Sequence, residues 1–303
     1  MSGDPDPGVE IRLCDVGPRD GLQNEKTALS PATRAELCRR LADAGLGRVE
    51  AVSFVRDDRV PRMAGAEEVL RALDGRVDGT EISALVLNPR GLDRALACGV
   101  RSVHVAVMAT EGMARANVNR SRDEAAEAVY ALIARAVAAG ATVAGTVSVA
   151  FGCPFEGAVD PGVVDELLAR MAEAGAAELM LADTIGIAVP SQVKRGMERA
   201  AAHGRPFGVH LHDTRNTAIA NALAALEAGA SRFESSVGGA GGCPFAPGAT
   251  GNLATEDLAW VLAREGVPTG VDIEAVVEVA HWLEAQLGRP LPGALSRPGC
   301  SLG

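Results

Sequence analysis

The sequence predicts a single (β/α)₈ barrel, and three observations favour that fold. Eight apolar runs of strand length alternate with Ala-rich amphipathic stretches over about 240 residues, the usual size of such a barrel. Hydrophobic residues make up 48% of the 303-residue chain and aromatic residues only 3%, a composition typical of parallel strands covered by closely packed helices. A doubly wound sheet is a poorer match, because a glycine-rich phosphate loop usually follows its first strand and none follows here.

The predicted strands are short apolar runs, and most predicted helices begin at Ser, Pro or Asp and end at Gly. The strands cover residues 11–17, 48–54, 81–87, 102–108, 142–150, 177–183, 207–213 and 232–238. The helices cover residues 31–44, 64–73, 91–98, 123–139, 161–174, 190–202 and 217–228. Left-handed caps are expected at the glycines that close them: Gly45, Gly99, Gly140, Gly175, Gly204 and Gly229. We expect one catalytic domain, residues 1–303, with a barrel core from about residue 9 to 265 and an extension, 266–303, that contains a helix at 273–287.

Charge and composition exclude several classes of protein. The formal net charge of −10 argues against nucleic-acid binding, which usually needs a basic face. No apolar run reaches the roughly 18 residues of a membrane span, and the first residues lack the features of a secretory signal. The six cysteines are widely spread and form no C-x-x-C pair, as expected of free thiols in a reducing compartment. We therefore expect a cytoplasmic protein that binds neither nucleic acid nor membrane.

Polar side chains stand at the carboxyl ends of several predicted strands, where barrels of this kind place their active sites. They are Arg19, Asp20, Glu50, Asp183, Thr184, His210, His212, Ser235 and Ser236. Arg19 and Asp20 follow a Gly-Pro step that ends the first strand. Such a pair can bind an anionic substrate and a metal ion, although a surface ion pair in a turn is the simpler alternative.

His210 and His212 are two residues apart in a predicted strand, so both side chains point to the same face and can reach one ion. The alternative is a pair of hydrogen-bonded structural histidines. Asp20 adds an anionic ligand, and a mixed nitrogen and oxygen set with open positions suits Mg²⁺ or Mn²⁺ better than a closed zinc site.

A glycine-rich loop, residues 238–252, follows the eighth strand and contains Cys243. A cysteine on a movable loop over a barrel mouth can act as an acid, a base or a nucleophile. An inert loop cysteine is the alternative, because Cys153 follows the fifth strand in a similar Gly-Cys-Pro-Phe context. Asn252 either offers its carbonyl oxygen to a metal or caps a helix that begins near residue 254.

Four motifs resemble those of the 3-hydroxy-3-methylglutaryl-CoA (HMG-CoA) lyase family. They lie at residues 16–26 (VGPRDGLQNEK), 183–186 (DTIG), 210–214 (HLHDT), and 241–245 with 251–257 (GGCPF and GNLATED). The match runs from about residue 11 to 287, which is the whole predicted barrel. It implies a lyase that cleaves HMG-CoA, or a close 3-hydroxyacyl-CoA, to acetyl-CoA and acetoacetate. It also implies a homodimer.

The resemblance assigns roles to residues of this chain. The implied metal ligands are Asp20, His210, His212 and Asn252. Arg19 would neutralise charge on a substrate oxygen, and Cys243 would protonate the departing acetyl-CoA enolate. Gln23, Glu50, Asp183 and Thr184 would contact the substrate, and Asn24 and Lys26 would contact coenzyme A. The identity of the base that takes the hydroxyl proton stays open: Asp20, His210 and a metal-bound water are the candidates.

Two steps depart from the family pattern. Residues 144–146 read Ala-Gly-Thr where the family usually has Arg-Gly-Tyr, and residues 215–217 read Arg-Asn-Thr where it usually has Tyr-Gly-Gln. Loss of an aromatic side chain at Thr146 is expected to enlarge the pocket, and Arg215 adds a charge near its mouth. The departures therefore leave a different 3-hydroxyacyl-CoA open as the substrate.

Two other functions compete with this interpretation. Claisen-type synthases of the same superfamily usually carry a long additional carboxyl-terminal region, whereas this chain ends about 40 residues after the predicted barrel. A non-catalytic acyl-CoA-binding barrel would be expected to lose at least one of the implied catalytic residues, and all are present. Cys300 near the end of the chain is either a redox-sensitive thiol that bridges subunits or a solvated tail thiol.

Overall fold

The computed structural model describes residues 10–73, 77–242 and 251–297, and it confirms the predicted barrel. Eight parallel strands close on themselves in sequence order, with β8 paired to β1. The strands β1–β8 are Arg12–Asp15, Arg48–Ser53, Glu81–Leu85, Ser102–Met108, Thr142–Ser148, Glu178–Asp183, Phe207–Leu211 and Arg232–Ser235. Several end two or three residues earlier than predicted, because the residues beyond them leave the sheet to form the loops of the site.

Helices alternate with the strands and cover the barrel. The helices α1–α10 are Pro31–Asp43, Ala66–Leu73, Pro89–Ala97, Glu111–Val118, Arg122–Ala138, Pro161–Glu173, Pro190–Ala201, Ala218–Glu227, Thr255–Arg264 and Ile273–Leu287. The six glycines predicted to end helices all have positive φ, between 64° and 102°. Among the described residues, no helix is long and apolar enough to cross a bilayer.

Helix α4 is the element that the sequence did not predict. The Thr110 side chain caps its first turn, and Asn119 ends it in the left-handed conformation. Only Met113 and Ala114 are buried along its eight residues. A helix with so few buried positions lacks the repeated apolar spacing from which a helix is predicted.

The barrel interior is ionic at the amino ends of the strands. Arg48 Nη1 lies 2.5 Å from Glu178 Oε2, and Arg232 Nε donates to Glu178 Oε1 at 2.8 Å. Burial raises the pKa of Glu178, but the hydrogen bonds and charges of Arg48 and Arg232 outweigh it and hold this pKa at about 2. This ionic floor closes the barrel below the carboxyl ends of the strands.

Substitution Glu178→Gln is expected to lower the free energy of unfolding by about 3–5 kcal/mol, because it leaves two guanidinium groups without their shared buried anion. Urea unfolding measures the change. Asp93→Asn is the matched control, since it removes an exposed partner of Arg135 and should cost less than about 1 kcal/mol. Equal losses in the two variants would contradict the assigned role of the floor.

Candidate active site

A cavity of about 620 Å³ opens at the carboxyl ends of the strands. Its deep part is lined by Arg19, Asp20, His104, Thr146, His210, His212 and Glu234. Its mouth is lined by Asn24, Arg56, Arg59, Asn88, Asn117 and Arg120. The predicted carboxyl-end residues therefore meet a wide pocket with an exposed, positively charged rim.

One turn of π-helix, Gly17–Gly21, carries Arg19 and Asp20 into the cavity. The backbone N–H groups of Arg19, Asp20 and Gly21 all donate to the carbonyl oxygen of Val16. A Cβ atom on Gly17 would lie 2.7 Å from a carboxylate oxygen of Asp15, so this tight turn needs a residue without a side chain. The local sequence therefore sets the direction of the Arg-Asp pair.

Arg19 is held between two carboxylates. Its Nε donates to Oε1 of the fully buried Glu50, and its Nη1 lies 2.5 Å from Oδ1 of Asp20. Burial lowers the pKa of Arg19, yet the two anions raise it overall, so the guanidinium stays charged. Its Nη2 has no hydrogen-bond partner among the described residues and is free to bind a substrate oxygen.

His210 and His212 point into the cavity together, as predicted. Their Nε2 atoms lie 3.1 Å apart, and Nδ1 of His210 lies 2.9 Å from Oε2 of Glu234. Burial, reinforced by the neighbouring His210, lowers the pKa of His212 to about 4. His212 is therefore a neutral imidazole at physiological pH, the form that binds metal ions.

Asp20 and Asn252 complete the cluster. Asn252 Nδ2 donates to Asp20 Oδ2 and to the carbonyl oxygen of Ala240, both at 3.0 Å. Its buried Oδ1 has no partner in the described part of the chain. Asn252 is not the cap of α9, because Ala254 occupies that position and makes no side-chain bond.

These residues fit a divalent cation. Asp20, Glu50 and Glu234 bring three carboxylates together around the one guanidinium of Arg19, so this group is acidic. The 3.1 Å between the two Nε2 atoms matches the separation of about 3 Å between adjacent ligands of an octahedral ion with bonds near 2.1 Å. Asp20, His210 and His212 therefore form a group that can hold a divalent metal ion.

A second group of potential ligands, Glu50, His104 and Glu234, lies deeper in the barrel. The two nitrogens of His104 are already bonded, Nδ1 to Glu50 at 2.6 Å and Nε2 to Thr146 at 2.5 Å. Each carboxylate oxygen of Glu50 and Glu234 also has a partner, so this group is a bonded network in the structure. His104 and Glu234 are not among the residues predicted from the sequence, although both have the inward parity of their predicted strands.

Some of the other predicted residues line the cavity, and others do not. Gln23, Asn24 and Thr184 line the cavity, and Asn24 donates to the carbonyl oxygen of Gly242 at 3.2 Å. Asp183 instead accepts two backbone N–H groups, from Ile187 and Ala188. Glu50, Asp183 and Lys26 are not among the lining residues. Cys243 and Cys300 lie outside the described residues.

The two departures from the family pattern have different positions. Thr146 lines the cavity, as expected. Arg215 does not, because its Nη1 donates to the carbonyl oxygens of Ile185 and Gly186 at 3.2 and 3.0 Å. The charge of Arg215 was expected at the mouth of the pocket. It lies instead against the loop after β6.

Two buried carboxyl groups anchor the chain after β8. Glu256 Oε2 accepts the backbone N–H of Gly238 at 2.9 Å, and Asp15 Oδ2 accepts the hydroxyl of Thr255 at 2.7 Å. Burial raises the pKa of Glu256 to about 8 and that of Asp15 to about 7. Both groups keep their protons in the folded protein at pH values where the unfolded chain has lost them.

The folded protein therefore binds more protons than the unfolded chain between about pH 4 and pH 8, and its stability should fall as pH rises through that window. Glu256→Gln replaces one of these acids with a neutral group of similar shape. The difference in Tm between about pH 5 and about pH 9 should shrink by about 3–8 °C in this variant. Thermal unfolding by circular dichroism measures it, and an unchanged difference would contradict the protonated state of Glu256.

Comparisons with known proteins agree with this geometry. A family model described as HMGL-like matches residues 10–283. The chain is 45% identical over 280 residues to hydroxymethylglutaryl-CoA lyase of Pseudomonas mevalonii, covering 92% of this chain and 93% of the relative. It is 42% identical over 301 residues to (R)-citramalyl-CoA lyase of Chloroflexus aurantiacus, covering 95% of each.

Solved structures give the same result. The Bacillus subtilis HMG-CoA lyase superposes with a TM-score of 0.92 at 37% identity, covering 97% of this chain and 98% of that one. An HMG-CoA lyase from Acinetobacter baumannii, in complex with coenzyme A and 3-methylmalate, superposes with a TM-score of 0.90 at 34% identity, covering 96% and 95%. The chain therefore belongs to the HMGL-like family and is a carbon–carbon lyase.

Proposed function

We propose that this lyase cleaves HMG-CoA, or a close 3-hydroxyacyl-CoA, to acetyl-CoA and a 3-oxo acid, with Mg²⁺ or Mn²⁺ held by Asp20, His210, His212 and Asn252. The observation that carries the proposal is the cluster of Arg19, Asp20 and the two histidines on one cavity wall, where carboxylates outnumber the one guanidinium and favour a bound cation. A divalent ion bound there supplies Lewis-acid stabilisation of negative charge on oxygen.

Arg19 performs the electrostatic part of the reaction. Cleavage begins when the tertiary hydroxyl loses its proton, and the charge then moves from that oxygen into the acetyl-CoA enolate. The free Nη2 of Arg19 stabilises the oxygen charge, and Glu50 holds the guanidinium in place. Asp20 is the adjacent side chain that can take the hydroxyl proton, because Nδ1 of His210 faces Glu234 and Nε2 of His210 is the proposed metal ligand.

Cys243 is the proposed acid that protonates the enolate. Gly242, the last described residue before it, lines the cavity. The position of Gly242 supports the role that the family resemblance assigns to Cys243.

The cavity mouth is suited to coenzyme A, whose phosphates are anionic. Arg59 and Arg120 are exposed there and have no ion pair among the described residues, whereas Arg56 is paired with Asp58 at 2.6 Å. Asn24 and Lys26 are the proposed coenzyme A contacts from the loop after β1. The coenzyme A complex of the A. baumannii relative supports a ligand of this class.

Citramalyl-CoA is a second candidate substrate. Thr146 gives the pocket a small polar side chain, and the citramalyl-CoA lyase of C. aurantiacus is similar over nearly the whole chain. Both substrates are tertiary alcohols whose cleavage releases acetyl-CoA, so the other product identifies the substrate. It is acetoacetate from HMG-CoA and pyruvate from citramalyl-CoA.

The function is tested by incubating the purified protein with each thioester and Mg²⁺, and by following both products by mass spectrometry. We expect acetyl-CoA release that a chelator abolishes and that Cys243→Ala reduces by at least about 100-fold, the size of a general-acid contribution. Cys98→Ala is the control, because Cys98 lies on the outside of the barrel after α3. No acetyl-CoA from either thioester would overturn the proposal.

Metal binding is tested separately by titrating the chelated protein with Mn²⁺ in a calorimeter. We expect about one ion per chain and an affinity at least about 10-fold weaker in His212→Ala, because that variant loses one ligand. His203→Ala is the matched control, since His203 pairs with Asp165 away from the cavity. Equal affinity in the two variants would remove His212 from the metal site. The homodimer and the cytoplasmic location stay predictions, for ultracentrifugation and cell fractionation to test.

A further inference from the structure

His104 lies on the inner face of β4, buried beside the carboxylates of Glu50 and Glu234, and has no role in the proposed reaction. Its Nδ1 is 2.6 Å from Oε2 of Glu50 and 3.3 Å from Oε1 of Glu234. Its Nε2 is 2.5 Å from Oγ1 of Thr146 on β5. Because β5 lies four strands from β1 around the closed barrel, the imidazole connects the carboxylate beside Arg19 to a hydroxyl on the far wall of the cavity.

Hydrogen-bond roles follow from this arrangement. Nδ1 faces two carboxylate oxygens, which only accept, so it carries a proton. Two carboxylates lie beside this one imidazole, at 2.6 and 3.3 Å, and they favour the imidazolium form, in which Nε2 also carries a proton. Burial lowers the pKa of His104, but Glu234 and Glu50 raise it overall. Nε2–H then donates to Oγ1 of Thr146, which leaves the threonine hydrogen available to another acceptor. Among the described residues the hydroxyl of Thr146 has no other hydrogen-bond partner.

The cavity has room for an acceptor beside Thr146. Ala106 is the register partner of Thr146 on β4, and Ser148 and Ala182 line the same wall. These side chains are small and carry no charge. A negatively charged oxygen group therefore has space there. It meets the hydroxyl of Thr146, which can donate a hydrogen bond to it, and no carboxylate of these side chains repels it.

We propose that Thr146, oriented by His104, is a specificity-determining residue that donates a hydrogen bond to the free carboxylate of the acyl group. The inference rests on the proposed function and names the part of the substrate that the far wall recognises. Thr146 contacts the substrate, whereas His104 is a positioning residue that acts through it. Glu50 links the pair to Arg19, so the carboxylate and the reacting hydroxyl are held by one connected network.

The test uses the thioester that the wild-type protein cleaves, together with 3-hydroxy-3-methylbutyryl-CoA, an inhibitor analogue that lacks the free carboxylate. Thr146→Val keeps the shape and removes the hydroxyl. We expect it to lower kcat/KM for the substrate by about 10- to 100-fold, the value of one hydrogen bond to a charged group. The inhibition constant of the analogue should change by less than about 2-fold, because the analogue does not use that bond.

Two variants control for general damage. Thr146→Ser restores the hydroxyl and should recover most of the activity. Thr142→Val makes the same substitution at the exposed amino end of β5 and should leave both constants unchanged. A loss shared by substrate and analogue in Thr146→Val would assign Thr146 to the common part of the thioester and overturn the inference.

The positioning role of His104 is tested by a double-mutant cycle. His104→Asn keeps a donor near Nδ1 and lacks the reach to Thr146, so it should weaken substrate discrimination in the same direction. If His104 acts through Thr146, the double variant should be no worse than Thr146→Val alone. Additive losses would contradict that role.

If the wild-type protein cleaves no thioester, the proposed function fails, whereas unchanged discrimination by an active Thr146→Val variant removes only this inference.

Discussion

The buried contact between Arg19 and Glu50 is the interaction on which the rest of the site depends. Glu50 is fully enclosed in β2, where an ionised carboxylate needs a cation beside it. The π-turn after β1 provides that cation, and the position of Arg19 then determines the position of Asp20. Asp20 in turn accepts from Asn252, so a single ion pair connects the start of the barrel to the loop after its last strand.

The barrel interior is arranged in layers that differ in how completely their polar groups are bonded. Arg48, Glu178 and Arg232 neutralise one another at the amino ends of the strands. Glu50, His104 and Glu234 form the next layer, where the side-chain nitrogens and carboxylate oxygens have partners. Above them, Oδ1 of Asn252 and Nδ1 of His212 lack hydrogen-bond partners among the described residues. Both atoms lie at the carboxyl ends, where a ligand can supply the missing bonds.

Membership in the family determines the class of chemistry, and we propose that the far wall of the cavity selects the substrate. In the proposed reaction the Arg-Asp turn and the histidine pair face the bond that breaks. The chain is similar over nearly its whole length to relatives named for two different substrates. In our proposal Thr146 and His104 face the other end of the acyl group, so substrate choice would depend on a wall that is separate from the reacting atoms.

The sequence by itself determined the features that depend on neighbouring residues. Period-two spacing placed His210 and His212 on one face, Gly17 and Pro18 directed Arg19 into the site, and the glycines after the helices ended them as predicted. Only the tertiary structure decided the contacts that join distant strands. His104 meets a glutamate 54 residues away, and Arg215 turns to the loop after β6. Strand register and barrel closure set those distances, and no local pattern in the chain records them.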